Sequence, residues 1–248
     1  MAGHSKWANI KFRKAAQDAK KGKLFTKLIR EITVAARESG DDPDANPRLR
    51  AAMDKAFAAN MQKDAVERAI KRGAGGGEGS NYEEVRYEGY APGGIAILVE
   101  CQTDNRNRTV GEVRHAFSKH GGNLGTDGSV SYLFETLGVI GFPPGSDETA
   151  IMETAADAGA RDVVTDHEGY VEVTTEAPDF HRVKRALADA GLAPERADIV
   201  QRAHTEVPVG VDDGDQVLKL LDALEDLDDV KDVYSNADFP DALFAEAS

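Results

Sequence analysis

The sequence predicts a multidomain α+β protein, a basic N-terminal three-helix bundle followed by two α+β domains of which one is inserted in the other. Three observations carry this reading. Through residues 1–72 the apolar residues recur at helical spacing only. A glycine-rich stretch, "GAGGGEGSN" at 73–81, then reads as a flexible linker. Beyond it strand-like alternation sets in, and the last helix and strand of the chain are left without local partners.

The opening helix is "KKGKLFTKLIREITVAAR", residues 20–37. At about 100° per residue, Lys23, Lys27, Arg30 and Arg37 fall within an arc of roughly 80°, and Leu24, Phe25, Leu28, Ile29 and Ile32 fill the opposite one. Such a helix packs one face on a core and offers the other to an anion or to plain solvent. A second helix has Asn46 as N-cap and Pro47 at its first position, with Leu49, Met53, Ala56, Phe57 and Asn60 continuing at 3–4 spacing. A third, "KDAVERAIKR", turns Val66 and Ile70 inward and stops at Gly73. The linker fits neither the GxxxxGK[ST] nor the GxGxxG spacing, which removes the nucleotide-loop reading.

After the linker, "EEVRYEGYAPGG" and "IAILVECQ" read as strands joined by a Pro-Gly turn. "TVGEVRHAFSKHGG" reads as a helix opened by a Thr109–Glu112 capping box, and "SVSYLFE" as a strand alternating Val130, Tyr132 and Phe134. Residues 138–206 then spell strand, helix, two strands, helix and strand, the β-α-β-β-α-β order of a ferredoxin-like unit. The helix "GDQVLKLLDALEDL" and strand "VKDVYS" would complete the unit begun at 83–137. The expected divisions are therefore 1–72 for the basic tail and bundle, 73–81 for the linker, 82–137 plus 207–248 for one α+β domain, and 138–206 for the inserted one.

Charge is unevenly placed. The chain carries a formal net charge of −14, yet residues 1–30 hold nine cations against Asp18 alone. Residues 212–248 hold twelve acids against Lys219 and Lys231. A basic head on an acidic body suits a protein that meets a polyanion in one orientation, with the body repelled. The single cysteine, Cys101, excludes an intramolecular disulfide and fits a reducing compartment. No apolar run approaches the ~18 residues of a membrane span, and the N-terminus lacks the apolar core of an export signal. A cytoplasmic protein is expected, and with no heptad or other dimer element, a monomer.

The chemistry-bearing stretch is "MAGHSKWANIKFRKAAQDAKKGK", which combines cations with the chain's one tryptophan. Lysine attracts phosphate by charge, arginine also bonds it bidentately, and an aromatic stacks on an exposed base. The candidate nucleic-acid contacts are Lys6, Trp7, Lys11, Arg13, Lys14, Lys20, Lys21, Lys23, Lys27 and Arg30. Five phosphate contacts would give a salt slope of about −4 to −5. The alternative is a tail whose Trp7 packs on the bundle; His4 is incidental. In "TDNRNRT", Arg106 and Arg108 lie where a strand ends and a helix begins, either as a second anion contact or as partners of nearby acids, with Asp104 and Asn105 forming a turn.

Catalytic readings find no support. Cys101 falls in a strand expected to be buried, His115 and His120 have poor metal spacing, and "DDGD" at 212–215 lacks the other ligands of a calcium loop. No nucleophile–base set can be nominated, and neither cofactor nor metal is expected.

The segments "AGHSKWANIK", "RKAAQDAKKGKLFTKLIREI", "DPDANPRLRAA", "YEGYAPGG", "TDNRNRTV" and "GGNLGTDGSVSYLF" resemble, in order and over nearly the whole chain, the YebC family, whose relatives include a mitochondrial translational activator. Phe12 stands where relatives commonly have His, and Ala91 where they commonly have Gly. The resemblance implies three domains around a central cavity and a role in gene expression. Some members look like DNA-binding transcriptional regulators, and others act in translation on ribosome or mRNA, including through proline-rich stretches. The residues it carries over are the cations of the first 30 and, less directly, Arg106 and Arg108.

Both roles need a phosphate-binding surface. The best basic helix offers mainly lysines, which hold backbone well and specify bases poorly, so the reading leans to ribosome or structured RNA over duplex DNA. A third class, a ligand sensor or scaffold, leaves the basic head without a role.

Overall fold

The computed structural model describes residues 21–75 and 81–244. The chain forms two compact units, one of residues 21–131 with Asp212–Ser235, the other of Tyr132–Val211 with 236–244.

The first unit opens with three helices, α1 (Lys21–Ser39), α2 (Pro47–Ala58) and α3 (Lys63–Ala74). Leu28, Ile32, Ala35 and Ala36 of α1 meet Leu49, Ala52 and Ala56 of α2 and Val66 and Ala69 of α3 in one apolar core. Asn46 caps α2 as its position before Pro47 predicts: its Oδ1 accepts from the Leu49 N–H, while its amide donates to the carbonyls of Ala35 and Gly40. The inward set of α2 differs from the expected one. Ala52 is buried, whereas Phe57 is 42% exposed and Asn60 stands in solvent in a left-handed turn, φ 62°.

Gly73 is also not the expected stop. α3 runs through it to Ala74, and the glycine is buried. An added Cβ there would overlap the Thr33 carbonyl oxygen and lie 2.9 Å from the Ala36 Cβ. The residue is a contact point where two helix backbones approach closely, a demand that local sequence pattern does not show.

The unit continues with β1 (Glu83–Ala91) and β2 (Ile95–Thr103), joined by a turn in which Gly93 and Gly94 both have φ 74°, a conformation that favours glycine. α4 (Arg106–Lys119) and the short β3 (Asn123–Leu124) follow. α4 begins a turn earlier than a Thr109 capping box requires. Asn105 is the N-cap, accepting from the Arg108 N–H, and Thr109 is buried inside the helix. "SVSYLFE" is likewise not one strand. The buried Glu88 carboxylate accepts from the backbone N–H groups of Gly128, Val130 and Ser131, and Ser131–Leu133 forms a 3-10 turn, leaving Tyr132 exposed. Burial alone would raise the Glu88 pKa; those three donors hold it below the ordinary carboxylate range.

In the second unit, β4 (Phe134–Phe142) takes in both "LFE" and "GVIGF" as one strand. α5 (Glu148–Asp157), β5 (Asp162–Thr165), β6 (Val171–Glu176), α6 (Phe180–Asp189) and β7 (Arg196–Ala203) follow, in the sheet order β5-β6-β4-β7 with antiparallel neighbours throughout. That is the split β-α-β arrangement the element order predicts. Ile140, Phe142, Val171 and Val173 from the strands pack against Ile151 of α5 and Phe180, Val183 and Leu187 of α6. β8 (Val207–Pro208) pairs in parallel with β10 (Ala237–Asp238).

Between them the chain re-enters the first unit as α7 (Val211–Glu225) and β9 (Val230–Ser235). β9 pairs with β2, giving the sheet order β3-β1-β2-β9. Gly122 sits where α4 and α7 meet, and a Cβ there would lie 3.1 Å from Phe117 and 3.3 Å from Leu220.

Replacing Gly73 by alanine tests the close approach. Helix propensity alone favours Gly73→Ala by about 1 kcal/mol. The backbone overlap reverses that sign, and chemical denaturation should show a net loss of about 1–3 kcal/mol.

Candidate functional site

The four described cations of the predicted basic stripe on α1 each donate to a backbone carbonyl, Lys23 and Arg37 while remaining exposed. Lys23 Nζ donates to the Asp226 carbonyl at 2.7 Å and Lys27 Nζ to the Glu225 carbonyl at 2.7 Å. Arg30 Nη1 donates to the carbonyls of Asp228, 2.6 Å, and Gln102, 3.0 Å, and its guanidinium lies 5.0 Å from the centre of the Tyr82 ring. Arg37 Nη2 donates to the Tyr82 carbonyl.

Glu225 ends α7, whose last turn contains no basic residue of its own. The last carbonyls of a helix have no intrahelical donor and carry the negative end of its dipole. Lys23 and Lys27 supply to this helix end, from a distant part of the chain, the positive charge that "DALEDLDD" withholds locally. Burial pushes the Lys27 pKa down, and Glu225, Asp232 and Asp226 partly restore it.

Arg30 also faces Asp229, with Nη1 3.3 Å from Oδ1. The Asp229 side chain is 2% exposed. Its Oδ2 accepts from the Thr103 hydroxyl at 3.0 Å, the Thr109 hydroxyl at 2.8 Å, and Arg108 Nη2 and Nε at 2.6 and 3.2 Å. One carboxylate thus gathers α1, the end of β2, the first turn of α4 and the entry to β9. Burial works against the charge, but these donors hold the Asp229 pKa below its ordinary value, and the Arg108 pKa rises in turn.

A second junction ties the bundle to the sheet. Glu31 of α1 accepts from Arg48 Nε at 2.8 Å and faces Lys231 Nζ at 3.1 Å, and Gln102 Nε2 donates to it as well. Arg48 also reaches Glu38 and Glu84. Burial would raise the Glu31 pKa, but Arg48 and Lys231 bring it to about 2.

Lys23, Arg30, Asp104, Arg108, Glu112 and the Asp226–Asp229 turn line a cleft of about 560 Å³. Its rim mixes both signs, with acids in the majority. Arg108 pairs with Asp104 at 2.8 Å besides Asp229, and Arg106 lies 3.8 Å from Glu83. Arg108 is thus closely paired with acids, while Arg106 stays largely exposed.

The remaining candidates, Lys6, Trp7, Lys11, Arg13, Lys14 and Lys20, lie outside the described residues. Lys21 is the first residue of α1. Cys101 is buried, and burial together with the Asp229 charge pushes its thiol up to about 12, which makes it a poor nucleophile. No helix among the described residues is long and apolar enough to cross a membrane. Sequence reasoning missed Asp229 and Glu31. For Asp229 the signal was the match of a basic head with an acidic tail, readable as internal pairing as well as repulsion; Glu31 gave no such signal, since its partners Arg48 and Lys231 lie outside the head.

Comparison with known proteins adds the following. Residues 5–76 match the family model described as the TACO1/YebC protein N-terminal domain, and residues 82–237 match the TACO1/YebC second and third domain. The chain is 65% identical over 243 residues to a probable transcriptional regulatory protein of Hahella chejuensis, covering 98% of each chain. It is 62% identical over 246 residues to one of Nitrosococcus oceani, covering 99% of each. A crystal structure of a conserved hypothetical protein, Aq1575 from Aquifex aeolicus, is 48% identical and superposes with a TM-score of 0.81, covering 90% of this chain and 92% of that one.

Asp229→Asn should lower stability by about 2–4 kcal/mol, since it leaves the nearly buried Arg30 without its counter-charge, while the half-exposed Arg108 turns to water and Asp104. Urea titration of the variant measures it. The Glu31 carboxyl has a lower pKa folded than unfolded, so its contribution is complete above about pH 4.5 and is lost as the pH falls toward 2. Glu31→Gln should therefore cost stability at pH 7 and make the acid limb of a stability-against-pH curve shallower across that window.

Proposed function

Because the chain belongs to the TACO1/YebC family, we propose that it regulates gene expression by binding nucleic acid through its basic head, without catalysis. The observation that carries this is the concentration of nine cations against one acid in residues 1–30 of a chain with net charge −14. Lys23, Lys27 and Arg30 already hold carbonyl oxygens. Phosphate contact therefore falls chiefly to Lys6, Lys11, Arg13, Lys14, Lys20 and Lys21, with Trp7 available to stack on a base.

The favoured target is ribosomal or other structured RNA, in a role that assists translation, including through proline-rich stretches. A major-groove reader presents a helix whose side chains reach base edges. Lys23, Lys27 and Arg30 of α1 are tied to the protein's own backbone, and lysines dominate the head, which favours backbone contact over base reading. A second reading, duplex DNA, draws on the names of relatives called probable transcriptional regulatory proteins.

Sucrose-gradient sedimentation of lysate containing tagged protein, at low and moderate salt, tests this. The comparison variant is Lys11→Glu/Lys14→Glu/Lys20→Glu, which spares the residues that hold α7. Wild-type protein travelling with ribosomal particles, released by nuclease and by the variant, is the expected result. Wild-type protein that stays at the top and retards duplex DNA over bulk competitor would move the target to DNA. Wild-type protein that does neither would overturn the proposal.

A further inference from the structure

The third helix of the bundle bears cations that the rest of the chain does not use. On α3, Val66, Ala69 and Gly73 are buried, and Ile70 packs partly against the same core. Arg68, Lys71 and Arg72 are exposed and fall, at about 100° per residue, within roughly 100° of arc opposite that stripe. Glu67 on the flank lies 3.7 Å from Lys63. Asp64 belongs to the first turn, where the helix dipole favours an acid.

Five arginines elsewhere are held by acids. Arg30, Arg48, Arg108, Arg161 and Arg202 each hold a carboxylate within 3.3 Å. With 44 acids against 30 bases, acids are plentiful. Yet no ion pair or side-chain hydrogen bond among the described residues engages Arg68, Lys71 or Arg72. The dipole accounts for Lys71 and Arg72 near a helix C-terminus, but not for Arg68 a turn earlier; Asp64 and Glu67, one turn before Arg68 and Lys71, make no ion pair with them, Glu67 lying instead beside Lys63.

Gly73 and the Asn60 turn fix how this face stands. The turn reverses the chain after α2, and the glycine lets α3 lie backbone to backbone on α1. Residues three and four apart on a helix lie about 5–6 Å apart at Cβ, so the three cations form one compact group on a rigid element. A linear polyanion matches such a group, its charges being regularly spaced and accessible from one side.

From this we infer that the outward face of α3 is a second phosphate-backbone contact, made by Arg68, Lys71 and Arg72 and separate from the basic head. The inference rests on the proposed nucleic-acid binding and extends it. The ligand chemistry is the phosphodiester strand, of RNA or of DNA, held without base reading. The two arginines supply bidentate donors and the lysine a point charge.

The test is the salt dependence of binding by the full chain to two probes, a structured RNA hairpin and a DNA duplex of matched length. Each lost contact removes about 0.7–0.9 from the slope of log affinity against log salt. Arg68→Gln/Lys71→Gln/Arg72→Gln should flatten the slope by about 2–3 on whichever probe wild type binds, while Arg185→Gln on α6, also exposed, leaves it unchanged. Gln keeps helix propensity, and circular dichroism checks the fold. As a measurement that needs no variant, acylation of lysines in folded wild-type protein should show Lys71 protected by the bound probe. A wild-type slope in the triple variant together with an unprotected Lys71, while Lys11→Gln/Lys14→Gln/Lys20→Gln abolishes binding, would overturn the inference and leave the proposed function standing. Wild type that binds neither probe would overturn both.

Discussion

A buried aspartate cannot remain charged unless the surrounding structure supplies donors, and Asp229 draws its donors from four directions. The carboxylate accepts from Thr103, Thr109 and Arg108 and faces Arg30. None of these groups is near it in sequence. Their joint presence around one side chain fixes how α1, β2, α4 and β9 meet. The register of β9 on β2 and the early start of α4 both serve this site, since each brings a donor or the acceptor into position. Arg30 makes the arrangement reciprocal. Its guanidinium is nearly buried, so it needs the carboxylate as much as the carboxylate needs it.

The same economy of polar groups explains the basic stripe of α1. A helix that ends in "DALEDLDD" places acids where its dipole is already negative, and α7 has no cation in its last turn to offset them. Lys23 and Lys27 provide that offset from the opposite end of the chain. The apparent division of the sequence into a basic head and an acidic body is thus partly a division of labour within one unit. What remains of the head after this accounting precedes α1.

How much of this was legible depended on whether the responsible residues were neighbours. The Asn46–Pro47 start of α2, the Pro-Gly turn after β1 and the β-α-β-β-α-β unit were readable because their determinants sit within a few residues of one another. Gly73 was misread as a stop because its reason is a second helix, not its own. Thr109 offered a capping-box spacing, but it lies inside α4, where its hydroxyl donates to Asp229. Phe57 matched the apolar period of α2, yet the core closes on Ala52 and Ala56, and the period does not reveal where the neighbouring helix stops. For the site, the cations of α1 were identifiable by type and spacing; their partners are backbone carbonyls, which have no letter in the sequence.

The separation of those partners has a consequence for biogenesis. Lys23 and Lys27 lie 203 and 198 residues before the carbonyls they hold. At a synthesis rate of about 5–20 residues per second, α1 exists for roughly 10–40 s before Glu225 and Asp226 are made. During that interval the N-terminal helices and β1–β2 can form, but the sheet lacks its β9 edge and the stripe of α1 is bare. The nascent chain therefore passes through a form whose leading end bears more unpartnered cations than the finished protein, while it is still on the ribosome. Completion of α7 and β9 then gives Lys23, Lys27 and Arg30 carbonyl partners within the protein, so that folding itself sets which cations of the mature protein stay unengaged.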